Sequence, residues 1–317
     1  MKVVTIGGGT GQFTLLSALK NIENIKLTSI VSMVDSGGST GRLRDEYGVL
    51  PPGDILKCLI ALSPYREARE ILQTRFLVNE KLKKHNAGNL LLVFLSQYLG
   101  GNFIEAIDAL GNILNVRGRV LPVTTDKATL VAELENGEMV FSEAEIDKRN
   151  KSEKIKRTFL VPHSGKLEIN REAKTAIENA DFIFIGPGDL FTSITPNFLV
   201  PGAKEIMREA TGKIVYILNI MTKFGETDGY TAKKFVEKLE NYIARPVDII
   251  ILNTQAPEKT VLQKYEKEQA NPVQDDFAER LDHRQIIRAD LVASGELARH
   301  DVDKLIRLLR EKLLITS

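Results

Sequence analysis

Short runs of β-branched and aliphatic residues that end in glycines and pass into helical periodicity recur along this chain. Strands alternating with helices in this way pair side by side in a parallel sheet, with the helices packed over its faces. Val3 to Ile6 reads as a first strand, Gln12 to Lys20 as a helix and Lys26 to Val34 as a second strand, one βαβ unit. The alternation resumes with strands at Asp181 to Ile185, Lys213 to Leu218 and Val247 to Leu252, separated by helical segments such as Tyr230 to Ile243. The expected fold class is α/β, a parallel sheet with helices on both faces.

Two blocks interrupt that pattern. From Pro52 to Leu114 the periodicity is helical, with Ile55, Leu59 and Leu62 on one face, so a helical insertion is expected over about 52–114. Over about 119–161, Arg119 to Val123, Ala128 to Leu134 and Met139 to Phe141 read as strands of a small β element. The run Glu135-Asn136-Gly137-Glu138 supplies its tight hairpin. Asp147 to Arg157 is dense in charge without apolar period and reads as a solvated excursion. From Asp301 to Leu314, Leu305, Leu308, Leu309 and Leu313 share one helical face, as in a docked terminal helix. All of this fits one domain across 1–317.

Composition removes several function classes. With 43 basic against 42 acidic residues in 317, there is no overall field for nucleic acid or anionic membrane. No apolar run approaches the ~18 residues of a membrane span, and the N-terminus lacks the apolar stretch of a secretory signal. The single Cys58 rules out an internal disulfide and cysteine-rich zinc sites, and it fits a reducing, cytoplasmic setting. Cys58 itself reads as core. There is no paired zinc-ligand spacing and no G-x-S-x-G elbow, and His163 and His283 have no catalytic partner by spacing.

What remains is a set of loops suited to anions. Gly7-Gly8-Gly9-Thr10-Gly11 lies between the first strand and helix, where absent side chains let backbone amides approach a pyrophosphate. A G-x-G-x-x-G frame from Gly7 meets Gln12 instead of glycine, so the dinucleotide fingerprint is incomplete, and the alternative is a tight strand-to-helix turn. Asp35-Ser36-Gly37-Gly38-Ser39-Thr40-Gly41-Arg42-Leu43-Arg44 reads as a second loop that offers amides, hydroxyls and two guanidinium groups to phosphate oxygens. Asp35 stands where a carboxylate can hold a ribose diol, as for NAD; it can equally bind Mg²⁺ or cap the loop.

Three further segments carry candidates. In His85-Asn86-Ala87-Gly88-Asn89, Asn86 can cap the following helix and Asn89 can present its amide to a ligand. Gly186-Pro187-Gly188-Asp189 repeats the glycine-at-strand-end arrangement, so Pro187, Gly188 and Asp189 are candidate ligand neighbours. Asn219 ends a strand and leads into Met221 to Tyr230, which either closes over a ligand or caps the next helix through Thr227 or Asp228.

These motifs, together with Pro51-Pro52-Gly53-Asp54 and in this order from Lys2 to about Leu309, resemble the YvcK-like gluconeogenesis factors, which belong with the CofD-like superfamily of 2-phospho-L-lactate transferases. The resemblance implies a Rossmann-like nucleotide-binding fold. It also implies binding of a UDP-sugar such as UDP-N-acetylglucosamine, with no required cofactor, and a role in cell-wall precursor supply and cell shape during gluconeogenic growth. A partner enzyme of amino-sugar or cell-wall precursor synthesis follows from the same likeness; a homo-oligomer stays open. By resemblance Tyr265 and Arg299 join the ligand set, the tyrosine against base or sugar and the arginine against diphosphate. The expected site therefore comprises Gly8, Gly9, Thr10, Gly11, Asp35, Ser36, Gly38, Ser39, Thr40, Arg42, Arg44, Asn86, Asn89, Pro187, Gly188, Asp189, Asn219, Tyr265 and Arg299. The transferases carry a more acidic second loop suited to a divalent metal, whereas here a single Asp35 is followed by serines, glycines and arginines. A ligand-responsive regulator is thus the first expectation, and a Mg²⁺-dependent transferase acting on a nucleotide-activated donor the second.

Overall fold

A computed structural model describes residues 1–77, 82, 85–149, 153–277 and 284–314. The chain begins β1 (Lys2–Gly7), α1 (Gly9–Leu19), β2 (Lys26–Val31), α2 (Gly38–Tyr47), α3 (Gly53–Leu62), α4 (Ala68–Gln73), α5 (Ala87–Tyr98), α6 (Phe103–Ile113) and β3 (Arg119–Pro122). It continues with β4 (Ala128–Leu134), β5 (Met139–Phe141), α7 (Glu143–Lys148), β6 (Ile155–Pro162), α8 (Arg171–Glu178), β7 (Phe182–Ile185), α9 (Ala203–Glu209) and β8 (Lys213–Ile217). The last elements are α10 (Ala232–Ile243), β9 (Ile249–Asn253), α11 (Lys259–Lys267), β10 (Gln285–Ala289) and α12 (Val302–Lys312).

Among the described residues, seven strands form one parallel sheet in the order β10-β9-β8-β7-β1-β2-β3. This is the doubly wound Rossmann order, in which the chain builds outward from β1 in one direction, then returns to build in the other. Because side chains alternate along a strand, Val3 and Val4 enter opposite cores. On one face Val3, Val31 and Phe184 pack against Leu15 of α1, Leu59 of α3, Ile107 of α6 and Leu308 of α12. On the other, Ile6, Ile183 and Ile185 pack against Ile177 of α8, Met207 of α9 and Phe235 of α10. The α/β expectation, with helices on both faces, therefore holds.

Several local expectations change. Arg119 to Val123, read as part of the small β element, instead supplies β3, which pairs in parallel with β2; the helices α3 to α6 are the crossover to it. The small sheet has the order β5-β4-β6 and is antiparallel, with the Asn136-Gly137 turn joining β4 to β5 as expected. The charged run from Asp147 is not one solvated excursion: it ends α7 and starts β6, where buried Ile155 joins the core and Lys156 and Arg157 pair with Glu133, while 150–152 lie outside the described residues. The second glycine-rich segment is a loop only as far as Gly37. From Gly38 it is α2, held by fully buried Leu43 and closed by Gly48 in the left-handed conformation. Finally, β10 extends the sheet beyond the strands expected from sequence.

Candidate functional site

The winding reverses between β1 and β7, and it is outside the carboxyl ends of strands at such a reversal that open α/β sheets leave a crevice. The loop after β1 and the loop after β7 meet there. A Cβ at Gly11 would overlap the Pro187 carbonyl oxygen, so glycine is what allows the two loops to touch. The Gly188 amide donates to Asn219 Oδ1 at 2.9 Å, which ties in the segment after β8. Sequence-distant loops thereby form one rim.

Three cavities line this rim. The first, about 570 Å³, runs from Thr10, Gly11 and Gly188 past Asn219 to Tyr265 and Arg299. Its far side is apolar: Ile220, Met221 and Tyr265 border it, and all three belong to one small apolar cluster with Val292. The second, about 280 Å³, adjoins it, since Thr10, Gly11, Gly188 and Asp189 border both. The third, about 460 Å³, shares Asp35 and Lys57 with the second and is bounded by Gly38, Ser39, Thr40, Asn86 and Asn89. A ligand with an aromatic end and a polar end has room along this line.

The second cavity gathers acids that are far apart in sequence. Asp54 Oδ2 accepts from the Gly9 amide at 2.9 Å, while its other oxygen is 2.8 Å from Lys57 Nζ. Asp35 Oδ1 accepts from the Gly37 amide at 2.9 Å, and Gly53 leaves room beside its second oxygen. Burial, reinforced by the charge of Asp54, raises Asp35 above the ordinary carboxylate range. Glu143, which borders the same cavity and accepts weakly from the Ser36 amide at 3.5 Å, is pushed up to about 7 by burial and then by Asp35. Burial alone would lower Lys57, yet Asp54 and Asp35 hold it above its usual value. Although these carboxylates converge, among the described residues no three or more His, Cys, Asp or Glu side chains are arranged to hold a metal ion, and no step is built on one.

A second charged group closes the first cavity. Lys223 Nζ is 2.7 Å from both Asp147 and Asp189 and 2.8 Å from buried Glu226, the last an ion pair without hydrogen-bond alignment. Burial raises Glu226, with Asp189 adding and Lys223 opposing; Lys223 in turn stays above its usual value because these carboxylates outweigh its own desolvation. In the third cavity, Ser39 Oγ is 2.9 Å from His85 Nδ1 and receives the Asn89 side-chain amide at 3.2 Å. Burial and then the charges of Arg42 and Arg75 keep His85 below its ordinary value.

The expected residues thus separate into groups. Gly8, Gly9, Thr10, Gly11, Asp35, Gly38, Ser39, Thr40, Asn86, Asn89, Pro187, Gly188, Asp189, Asn219, Tyr265 and Arg299 all border the connected cavities. Ser36, Arg42 and Arg44 border none of the three: Ser36 Oγ accepts from the Ala144 amide at 2.9 Å, and the arginines ride on α2. Asn86 caps α5 by accepting from the Asn89 amide at 2.7 Å. Neither Thr227 nor Asp228 caps α10. Thr227 accepts from Lys223 and Asp228 from Gly225 inside the loop, and Thr231 takes the capping position. Cys58 is buried, its thiol pushed up to about 12 by burial, and is a core residue. His163 bonds Thr129 on the surface, and His283 lies outside the described residues.

Lys57, Glu143 and His300 escaped the sequence reading because no motif flags them and each reaches the cleft from another part of the chain, whereas Lys223 lay within the Met221 to Tyr230 segment expected either to close over a ligand or to cap the next helix. Asp54 stood in the Pro51-Pro52-Gly53-Asp54 motif, which was a usable signal.

Comparison with known proteins agrees with this architecture. Residues 3–292 match the family described as 2-phospho-L-lactate transferase CofD. A gluconeogenesis factor from Bacillus subtilis strain 168 is 39% identical over 316 residues, covering 98% of each chain. Another, from Halalkalibacterium halodurans, is 43% identical over 273 residues, 86% of this chain and 83% of that one. A crystal structure of a UPF0052 family member from Bacillus halodurans superposes with a TM-score of 0.89 at 39% identity, covering 98% of this chain and 99% of that one. The chain therefore belongs to the CofD family, among the relatives known as gluconeogenesis factors.

Proposed function

We propose that this protein binds a uridine-diphosphate sugar along the cleft and acts as a ligand-responsive regulator of cell-wall precursor supply and cell shape under gluconeogenic growth. The observation that carries the reading is the first cavity. It joins an apolar slot beside Tyr265 to the amide-rich start of α1, with Arg299 on its border, so one end suits a flat base and the other a diphosphate. The sugar then extends into the polar second and third cavities, where hydroxyls and amides of Thr192, Ser193 and Asn89 are available. The names of the relatives support the physiological setting, and a partner enzyme of amino-sugar synthesis is the expected receiver of the signal.

Calorimetry of the purified chain with UDP-N-acetylglucosamine, UDP-glucose, NAD and GDP, with and without Mg²⁺, tests this. Saturable, metal-independent binding of a UDP-sugar, returned unchanged after incubation, is the expected result. The name of the matched family favours a second reading, Mg²⁺-dependent transfer from a nucleotide-activated donor. Mg²⁺-dependent consumption of such a donor would replace the regulator by the transferase.

A further inference from the structure

At the opposite end of the sheet from the cleft, a cavity of about 660 Å³ opens between the ends of α1 and α12 and the starts of β2 and β3. Lys20, Lys26, Arg117, Arg119 and Arg310 line it, and Glu23 is the one acid among its described lining residues. In a chain whose net charge is only +1, that excess belongs to this cavity rather than to the surface at large. Three of the bases have local duties. Arg119 pairs with Asp108 and Glu172. The Arg310 guanidinium donates to the Asn21 carbonyl at 2.6 Å, and Lys20 Nζ donates to the Ser63 carbonyl at the end of α3, at 2.7 Å. Arg117 and Lys26 have none: both are exposed, and among the described residues neither side chain has a hydrogen bond or ion pair.

Arg117 is nevertheless held in place. Its backbone amide donates to the Leu62 carbonyl at 3.0 Å, next to the Ser63 carbonyl that Lys20 bonds, so the two cationic residues are anchored on consecutive positions. Gly118, at φ 131°, has no Cβ to overlap the Leu27 carbonyl oxygen, which lets this segment close on the start of β2, beside Lys26. Burial and then the charge of Arg117 hold Lys20 below its ordinary value, as crowded cations without a counter-ion should be.

We propose that this cavity binds a small phosphorylated metabolite carrying at least two negative charges, at a site separate from the cleft. Guanidinium forks match phosphate oxygens two at a time, and the ammonium groups add charge without demanding one geometry. A single carboxylate would leave most of these cations uncompensated, whereas a phosphate ester or diphosphate neutralises the crowded pair. The volume falls within the range of small-molecule sites.

Inorganic pyrophosphate is the probe. Calorimetry on the wild-type chain should show saturable binding that weakens with salt. The double variant Lys26→Ala, Arg117→Ala should bind at least about 10-fold more weakly, because charged contacts to the anion are lost while no internal side-chain bond is broken. Lysine acetylation of the wild-type chain, read by mass spectrometry, needs no variant: pyrophosphate should protect Lys20 several-fold, while Lys166, whose side chain is 85% exposed, labels at an unchanged rate. Equal affinity of variant and wild type, as from binding at the glycine loop of the cleft, overturns the proposal, as does Lys20 labelling indifferent to pyrophosphate. Tighter binding of a hexa-aspartate peptide than of pyrophosphate would overturn the ligand class and make the cavity a groove for an acidic protein segment.

Discussion

Gly11 shows how one absent side chain sets the geometry of the cleft. A Cβ there would meet the Pro187 backbone rather than the end of a flexible side chain, so one of the two loops has to move. Gly11→Ala is expected to lose about 1–3 kcal/mol of stability in urea denaturation, the range for overpacking. Glu143 makes a different prediction. Its folded value of about 7 against an ordinary 4.5 means that between those pH values the folded chain holds a proton the unfolded chain lacks. Its contribution to stability is therefore complete below about 4.5 and is lost as pH rises through 7. Glu143→Gln should stabilise the chain by about 1–2 kcal/mol at pH 8, a figure reduced for partial exposure, and the gain should vanish by pH 4.5. Urea melts of both proteins across that range measure it; a pH-independent difference would remove the carboxylate as cause.

The elements were unevenly legible. Strands β1, β7, β8 and β9 announce themselves through buried aliphatic runs leading to glycine or asparagine, β2 through its β-branched residues, and α12 through its leucine stripe. The helix α2 did not, because Gly38-Ser39-Thr40-Gly41 has the composition of a loop. Its helicity comes from buried Leu43 and from Gly41, where any Cβ would overlap the Ser36 carbonyl oxygen. β3 reads correctly as a strand, yet nothing local says which sheet it joins; its parallel register with β2 depends on the α3 to α6 crossover packing beneath it. A prediction at this scale concerns α12, which packs on α1 behind the glycine loop. Asp301 caps it by accepting from the Lys304 amide at 2.9 Å, so Asp301→Ala should cost about 1 kcal/mol, seen as a lowered urea midpoint with unchanged slope.

At the scale of the molecule, the cleft draws on parts of the chain from Gly8 to His300. A ligand that bridges them binds the folded chain alone, so UDP-N-acetylglucosamine at 100 times its Kd should add about 2.7 kcal/mol of stability and raise Tm, read by calorimetric scanning with and without ligand. An unchanged Tm at that excess would mean that the ligand does not engage the folded cleft. The sequence by itself determined the α/β class, the parallel strands nearest β1 and the glycine loops at their ends, because hydrophobic period and glycine placement are local properties. It also carried the family through an ordered set of motifs. Only the tertiary structure decided that Asp54 and Glu143 lie near Asp35, that Arg42 and Arg44 stand away from the cavities, and that His300 borders the first of them. Those are matters of distance between residues remote in the chain, set by how the strands order and the helices pack, and no local pattern encodes them.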